Sequence, residues 1–522
     1  ASTLYINMTC HTDDQVANRA YLDHVENVQP RLKEIGFEID KKIVGSPYVK
    51  VLDQHRYQVY LRDMRMAIEL FRPENVPLET ELAKLDQEYS QTAGAMTVQF
   101  RGEERTLPQM ARFNEEPDRA TREEAWRSVA DRRFTDADAI DAIYEKMLVL
   151  RQQVARNAGF SDYRDYAFKA KRRFDYTPET CHEFARGVEQ VCVPLLRKIM
   201  SERSRVMSVS PLRPWDGGVD PKGRPALRPF EGAQQLIERT NKVFRRMDAS
   251  LAEMFEFLQD NGEGAGSSCL DLESRKGKAP GGYQANRDRM RKPFIFMNAA
   301  GVQRDVDTIV HEAGHAFHSI LSRTDPLVAY RSEMPLEFAE VASMSMELTA
   351  HPFLDEYYPG AGTAGSDADR ARRNHLEGVV LSLCTIAIVD QFQHWIHTTP
   401  GHTRAQRHEK WAELTRRYGA GFDWSGLEHF LRTGWQRIPH LFGAPFYYIE
   451  YGIAQLGALQ LWLNYRRHPG RALEQYKTGL TLGGSRPLPE LFEAAGLDFD
   501  FSPRTIKRLV EEMDGELAKL PA

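Results

Sequence analysis

The run TIVHEAGHAFHSIL, residues 308–321, sets three histidines and a glutamate in an otherwise apolar segment. Polar groups on an apolar helix face cost free energy unless something pairs with them. His311 and His315 are four residues apart, so on a helix both imidazoles leave one face, a turn apart. Such a pair can take two corners of a zinc tetrahedron. Glu312 follows the first histidine, so its carboxylate falls beside the metal, where a general base for a water belongs. Taken alone, the motif also fits two ordinary helix histidines.

Zinc needs a third protein ligand, and the downstream stretch YRSEMPLEFAEVASMSMELTA (330–350) offers Glu333, Glu337, Glu340 and Glu347. Pro335 suits the first turn of a helix. Glu333 then precedes that helix, while Glu340 and Glu347 share one of its faces. Ala339, Ala342 and Ser343 are small enough for it to pack closely on the histidine helix. Periodicity favours Glu340 over Glu337 only modestly.

HEAGHAFH followed by FAEVAS resembles the thimet oligopeptidase and oligoendopeptidase F family of zinc metallopeptidases. That family carries H-E-x-G-H-x-x-H, with its third ligand in an F-x-E-x-x-S segment about 25 residues past the second histidine. Gly314 matches the motif glycine, and Glu340 stands at the ligand position. The ligand spacings of thermolysin-type and aminopeptidase-type zincins fall here on Pro335 and Met334, which cannot ligate. GFSDYRDYAFKAKRRFDYTPE (159–179), LRPWD (212–216), DLESRKGKAPGGY (271–283) and FQHWIH (392–397) extend the resemblance over residues 150–500 or so. It implies one zinc ion per chain, held by His311, His315 and Glu340, with Glu312 as the base.

Peptide hydrolysis also needs donors for a developing oxyanion. PHLFGAPFYYIEYGIAQ (439–455) contains His440, Tyr447, Tyr448 and Tyr451, and Tyr448 and Tyr451 can share a helix face. Pattern alone reads this as an aromatic stripe in a core. The resemblance instead implies substrate and oxyanion contacts for His440, Tyr448 and Tyr451, with Tyr447 competing for the place of Tyr448. His318 lies too far along its helix to join the metal and reads as a supporting or packing residue. Asp307 and Glu347 compete to accept from a ligand imidazole. KAPGGYQ (278–284) lacks the ending of a phosphate loop. Gly281, Gly282 and Tyr283 are instead expected to present an edge strand to an extended peptide. Arg275, Lys276, Lys278, Arg287 and Arg289 around them read mainly as a solvated basic loop.

The elements that must position these residues are helical. NRAYLDHVENVQPRLKEI (18–35) and DADAIDAIYEKMLVLRQQVARNAG (136–159) carry apolar residues three and four apart, the latter ending at a C-cap, Gly159. A further helix is capped by Thr177 with Pro178 in its first turn. LRPWDGGVDPKGRP (212–225) is a connector, helices resume over 232–259, and 357–370 reads as a surface loop. CLDLES (269–274) and PFIFMNAA (293–300) are the β-type runs, which predict a single small sheet. The expected fold is mostly α, with a helical lobe at 1–175 and a catalytic domain at 176–522. The resemblance adds two lobes around a deep substrate channel.

The 522 residues carry a net charge of −5 with 27% charged residues, which gives no basic footprint for nucleic acid. Five widely spaced cysteines without a C-x-x-C pair fit a reducing cytoplasm. The opening residues lack the pattern of a signal peptide, and the apolar run 379–389 is too short to span a bilayer. No membrane partner is expected. The implied activity is zinc-dependent cleavage of internal bonds in short unstructured peptides; the alternative is a zinc carboxypeptidase on a similar scaffold.

Overall fold

The computed structural model describes residues 1–259, 269–275, 277–279, 281–358 and 365–521. Lys276 and part of the 357–370 loop lie outside the described residues. Helices dominate, as the periodicity requires. The chain divides into two compact units, each built from three stretches. The first comprises Ala1–Pro73, Arg228–Arg372 and Ile453–Asp500; the second comprises Glu74–Leu227, Arg373–Gly452 and Phe501–Ala522. These boundaries differ from a single cut after residue 175. Helix packing joins apolar faces whatever their distance in sequence, so composition alone locates only a crossing marked by a breaker. The connector at 212–225 is one, ending beside the 227/228 crossing.

The first unit holds the three-stranded sheet, in the order β3 (Leu270–Glu273), β5 (Phe294–Ala299), β4 (Tyr283–Ala285). The two β-type runs pair in parallel rather than as a hairpin. The connecting loop supplies β4, antiparallel to β5, with Tyr283 opposite Phe296 and Ala285 opposite Phe294. The N-terminal helix Ser2–Cys10 packs Ile6 and Cys10 on Phe294 and Phe296. Against the sheet lies the helix Gln303–Ser322, which carries the histidines, and against that the helix Leu336–Thr349, which carries Glu340. Asp305 Oδ2 accepts from the backbone N–H groups of Ala300 (2.8 Å) and Val302 (2.9 Å), satisfying orphan donors where the histidine helix starts.

The second unit contains a β-hairpin that the sequence reading lacked: β1 (Thr97–Phe100) and β2 (Glu103–Thr106). Its signal is the dipeptide Arg101-Gly102, both at positive φ, in the two-residue turn that a tight hairpin requires. The helix Pro178–Met207 starts as expected, with the Thr177 hydroxyl accepting from the Thr180 N–H. The apolar run 379–389 falls inside the long helix Asp367–Thr398, whose length and composition would suit a membrane but whose apolar window is 72% buried in the protein.

Asp216, from LRPWD, shows how the second unit is tied together. Its carboxylate is fully buried and accepts from Arg119 Nε (3.0 Å) and Nη2 (2.8 Å), from Arg122 Nη2 (3.2 Å) and from the Arg213 N–H (2.9 Å). Burial alone would raise its pKa, but these donors prevail and hold it below the usual carboxylate range. Asp216→Ala leaves the buried Arg122 guanidinium without its carboxylate and should cost about 3–5 kcal/mol. Because the folded-state pKa is depressed, this stabilisation is complete above the ordinary aspartate value of about 3.9. It is lost as pH falls through the folded-state value. Urea unfolding of both proteins across pH should show the gap between them closing only in acid.

Candidate metal centre and active site

Three donor sets meet where the Gln303–Ser322 and Leu336–Thr349 helices cross. A ligand atom from each of His311, His315 and Glu340 lies within 4.8 Å of the others. Glu340 Oε2 is 3.4 Å from His311 Nε2 and 3.6 Å from His315 Nε2. Ser343 Oγ donates to the same carboxylate oxygen at 3.1 Å. Glu347, one face-repeat further along the helix, takes the Nδ1 side of His311 at 2.6 Å. That contact fixes the ring so that Nε2 points at the shared position. Asp307 accepts from Gln303 Nε2 at 2.9 Å.

Gly314 explains how the two helices come so close. A Cβ built there would lie 2.5 Å from the Ala342 carbonyl oxygen and 2.6 Å from Ser343 Cα. The contact is with backbone, so no side-chain rotation relieves it. The small residues on the Glu340 helix complete the close approach, and the Tyr476 hydroxyl donates to the Ala342 carbonyl at 2.9 Å.

The electrostatics follow from crowding donors in a buried place. Burial disfavours a charged His311, but hydrogen bonding and charge from Glu340 and Glu347 outweigh it and hold this imidazole well above the usual histidine range. His315 is pushed down to about 4, chiefly by burial. Glu312 is pushed up to about 7, chiefly by burial, with the Glu340 and Glu347 charges adding to it. Two imidazole nitrogens and a carboxylate oxygen converging on one point need a positive charge between them, a proton or a cation. Two nitrogens and one oxygen with a further position open is the donor set of a catalytic zinc site, and these residues fit such an ion.

Glu312 is 5% exposed, and its Oε2 has no hydrogen-bond partner among the described residues. Gly282, just before β4, lies close to it: a Cβ there would sit 3.5 Å from Glu312 Oε1 and 3.4 Å from the Phe296 carbonyl oxygen. Gly281 has a φ of +98°, a conformation that favours glycine. The edge strand β4 therefore begins beside the carboxylate. Tyr283 is engaged in packing, with its hydroxyl 2.6 Å from Thr9 Oγ1 and its ring stacked on Phe296.

Three basic residues of this segment are tied to it by hydrogen bonds, while Arg275 and Arg289 stay exposed. Arg275 donates to both oxygens of Asp271 (2.6 and 2.7 Å). Lys278 donates to Asp271 Oδ1 (2.9 Å) and to the Met297 carbonyl (2.6 Å). Arg287 donates to the Lys292 carbonyl at 3.0 Å. The Lys278 side chain and Arg287 are buried and brace the sheet, whereas Arg275 and Arg289 are exposed as in a solvated loop. His318 is 1% exposed, packs edge-on against Phe338 and has no hydrogen-bond partner on either nitrogen among the described residues. Burial pushes it down to about 3, so it is a neutral packing residue.

His440, Tyr447, Tyr448 and Tyr451 gather in one cluster. Tyr451 OH is 3.2 Å from His440 Nε2, and the three tyrosine rings lie 5.1–5.7 Å from the imidazole. Two residues absent from the sequence reading support the segment. Arg173 donates to the Phe446 carbonyl and to Glu450 Oε1 (2.8 Å), and Lys171 donates to the same oxygen at 3.1 Å. Arg173 and Glu450 are buried, and Phe446 takes a positive φ of 62°. The family-like stretch KAKRRFD (169–175) thus has a positioning task that spacing along the chain does not reveal.

The sequence pattern of Peptidase family M3 matches residues 112–511, most of the chain. The chain belongs to peptidase family M3. Oligopeptidase PepF of Bacillus subtilis (strain 168) is 25% identical over 345 residues, covering 63% of this chain. The match spans 47% of that relative, about half its length. Among solved structures, PZ peptidase A with an inhibitor superposes with a TM-score of 0.92 at 29% identity, over 99% of this chain and 90% of that one. A structure described as an oligoendopeptidase F, from Bacillus anthracis str. Ames, gives a TM-score of 0.86 at 26% identity over 99% and 88% of the two chains. Membership of the family implies a metal cofactor, consistent with the donor set at His311, His315 and Glu340.

Proposed function

We propose that this chain is a zinc-dependent endopeptidase that cleaves internal bonds of short, unstructured peptides. The observation that carries this reading is the convergence of His311, His315 and Glu340 donor atoms next to a buried Glu312 carboxylate. When bound, zinc supplies Lewis acidity toward a water and the scissile carbonyl. His311, His315 and Glu340 would hold it, with Glu347 keeping the His311 ring in place. Glu312 takes a proton from the attacking water onto a carboxylate oxygen and passes it to the leaving amine nitrogen. The edge strand β4, which follows Gly281 and Gly282, pairs with extended substrate backbone, which favours unfolded peptides. Five buried cysteines, none of them in a disulfide, support a cytoplasmic setting.

Hydrogen bonds to the oxyanion are assigned to Tyr448 and Tyr451, and a substrate contact to His440, on the strength of the family resemblance. Removing one such donor typically lowers kcat by about 10²–10³. Tyr448→Phe should show a loss of that size in steady-state peptide cleavage, and Tyr447→Phe a much smaller one. The reverse order would transfer the role to Tyr447.

The function itself is tested by mass-spectrometric mapping of cuts in a peptide mixture of varied length, with blocked and free termini, using zinc-loaded protein. Internal cuts that ignore terminal blocking support an endopeptidase. A requirement for a free C-terminus would make it a carboxypeptidase, and intact peptides at full zinc loading would overturn the reading.

A further inference from the structure

We propose that the chain carries a second, structural metal site, formed by Cys181 Sγ, the Asp390 carboxylate and the His394 imidazole, and suited to zinc. Cys181 sits in the first turns of the Pro178–Met207 helix. Asp390 and His394 are four apart on the Asp367–Thr398 helix, so their side chains leave the same face. One ligand atom from each of the three residues lies within 4.8 Å of the others.

Burial makes the cluster informative. Cys181 and Asp390 are 0% exposed and His394 is 3% exposed. His394 Nε2 stands 3.4 Å from Asp390 Oδ2, yet neither His394 nitrogen has a hydrogen-bond partner among the described residues, and Asp390 Oδ1 has none either. Buried polar atoms are nearly always satisfied, so orphaned atoms on Asp390 and His394, within a cluster where one ligand atom of each converges with that of Cys181, call for an occupant. A thiolate, an imidazole and a carboxylate are the three ligand types that zinc takes. An ion there would give the orphaned atoms of Asp390 and His394 a partner, with the Cys181 thiolate as a third ligand.

The surroundings suit a closed site. Phe168 and Phe446 pack on the His394 ring at 5.8 and 5.5 Å, giving an apolar wall. His182, next to Cys181, lies with its ring 4.6 Å from that of His394, and its Nδ1 is 2.8 Å from Gln391 Oε1. His182 thus borders the three converging donors without being one of them. A nucleophilic Cys–His–Asp arrangement is excluded by the same burial, because substrate has no approach to a thiol that is 0% exposed. The ion would clamp two helices together. Gln393, beside His394, accepts from the Phe446 N–H, so the clamp also supports the segment that holds Tyr447 and Tyr448.

The site at His311, His315 and Glu340 contains no sulfur, and this separates the two sites experimentally. Metal-free protein is titrated with cobalt(II) and followed by absorbance, and zinc content is measured on purified protein. The expected result is a thiolate-to-cobalt charge-transfer band in the near ultraviolet and about two zinc ions per chain. Cys181→Ala should abolish the band and lose one ion, while His315→Ala should retain the band. Should Cys181→Ala fail to fold, His394→Phe with the same readout replaces it. A wild-type protein with no thiolate band would overturn the proposal, as would a band that survives in Cys181→Ala.

Discussion

Replacing Glu312 by glutamine should abolish most peptide cleavage while leaving the metal in place. The substitution keeps size and shape, so the packing around a side chain that is 5% exposed is preserved. It removes only the ability to accept and return a proton. General acid–base catalysis of this kind is typically worth about 10²–10⁴ in rate, and kcat should fall by that factor with KM little changed. His311, His315 and Glu340 are untouched, so zinc content should equal that of the parent. Burial pushes Glu312 up to about 7, and a nearby cation lowers it, so the carboxylate form is available at neutral pH. Steady-state kinetics with parallel metal analysis checks both halves. Unchanged turnover at full metal content would exclude Glu312 as the base. Loss of zinc would instead place it in the ligand set.

The reach of the sequence can be followed residue by residue. His311, Glu312 and His315 were legible because helical periodicity is local: a spacing of four decides which face a side chain leaves. Glu340 needed more, since Glu337 lies on the same helix, and periodicity with small neighbours favoured it only modestly until the family spacing decided. Its approach within 3.6 Å of both imidazoles is a fact of inter-helix register. The choice between Asp307 and Glu347 shows the same limit. Asp307 is the local neighbour, yet the recorded partner of His311 Nδ1 is Glu347, from the other helix. Charge runs are ambiguous for a different reason. Arg275 and Lys278 look solvated in sequence, and only the fold shows both spent on Asp271. The cluster of Cys181, Asp390 and His394 joins two distant helices, so no motif announces it. The hairpin β1–β2 was legible in principle, through Arg101-Gly102 between short β-type runs, but four-residue strands carry little periodic signal.

Gly314→Ala should damage the metal centre without touching a ligand. Alanine normally stabilises a helix relative to glycine by up to about 1 kcal/mol, so helix propensity alone predicts a gain. Packing predicts the opposite, and the distances decide which effect wins. The new methyl would lie 2.5 Å from the Ala342 carbonyl oxygen and 2.6 Å from Ser343 Cα, well inside van der Waals contact with backbone on the partner helix. Relief requires the Leu336–Thr349 helix to move away, and that helix carries Glu340 and Glu347. Overpacking of this kind costs about 1–3 kcal/mol, which outweighs the propensity gain. Displacement of Glu340 by even a fraction of an ångström stretches a coordination distance that zinc tolerates only within about 0.2 Å. The variant should therefore unfold at lower urea concentration, bind zinc more weakly in competition with a chelator, and lose activity that excess zinc partly restores. A propensity-dominated outcome would be a more stable protein with unchanged zinc affinity, and it would show that the two helices can separate without cost to the site.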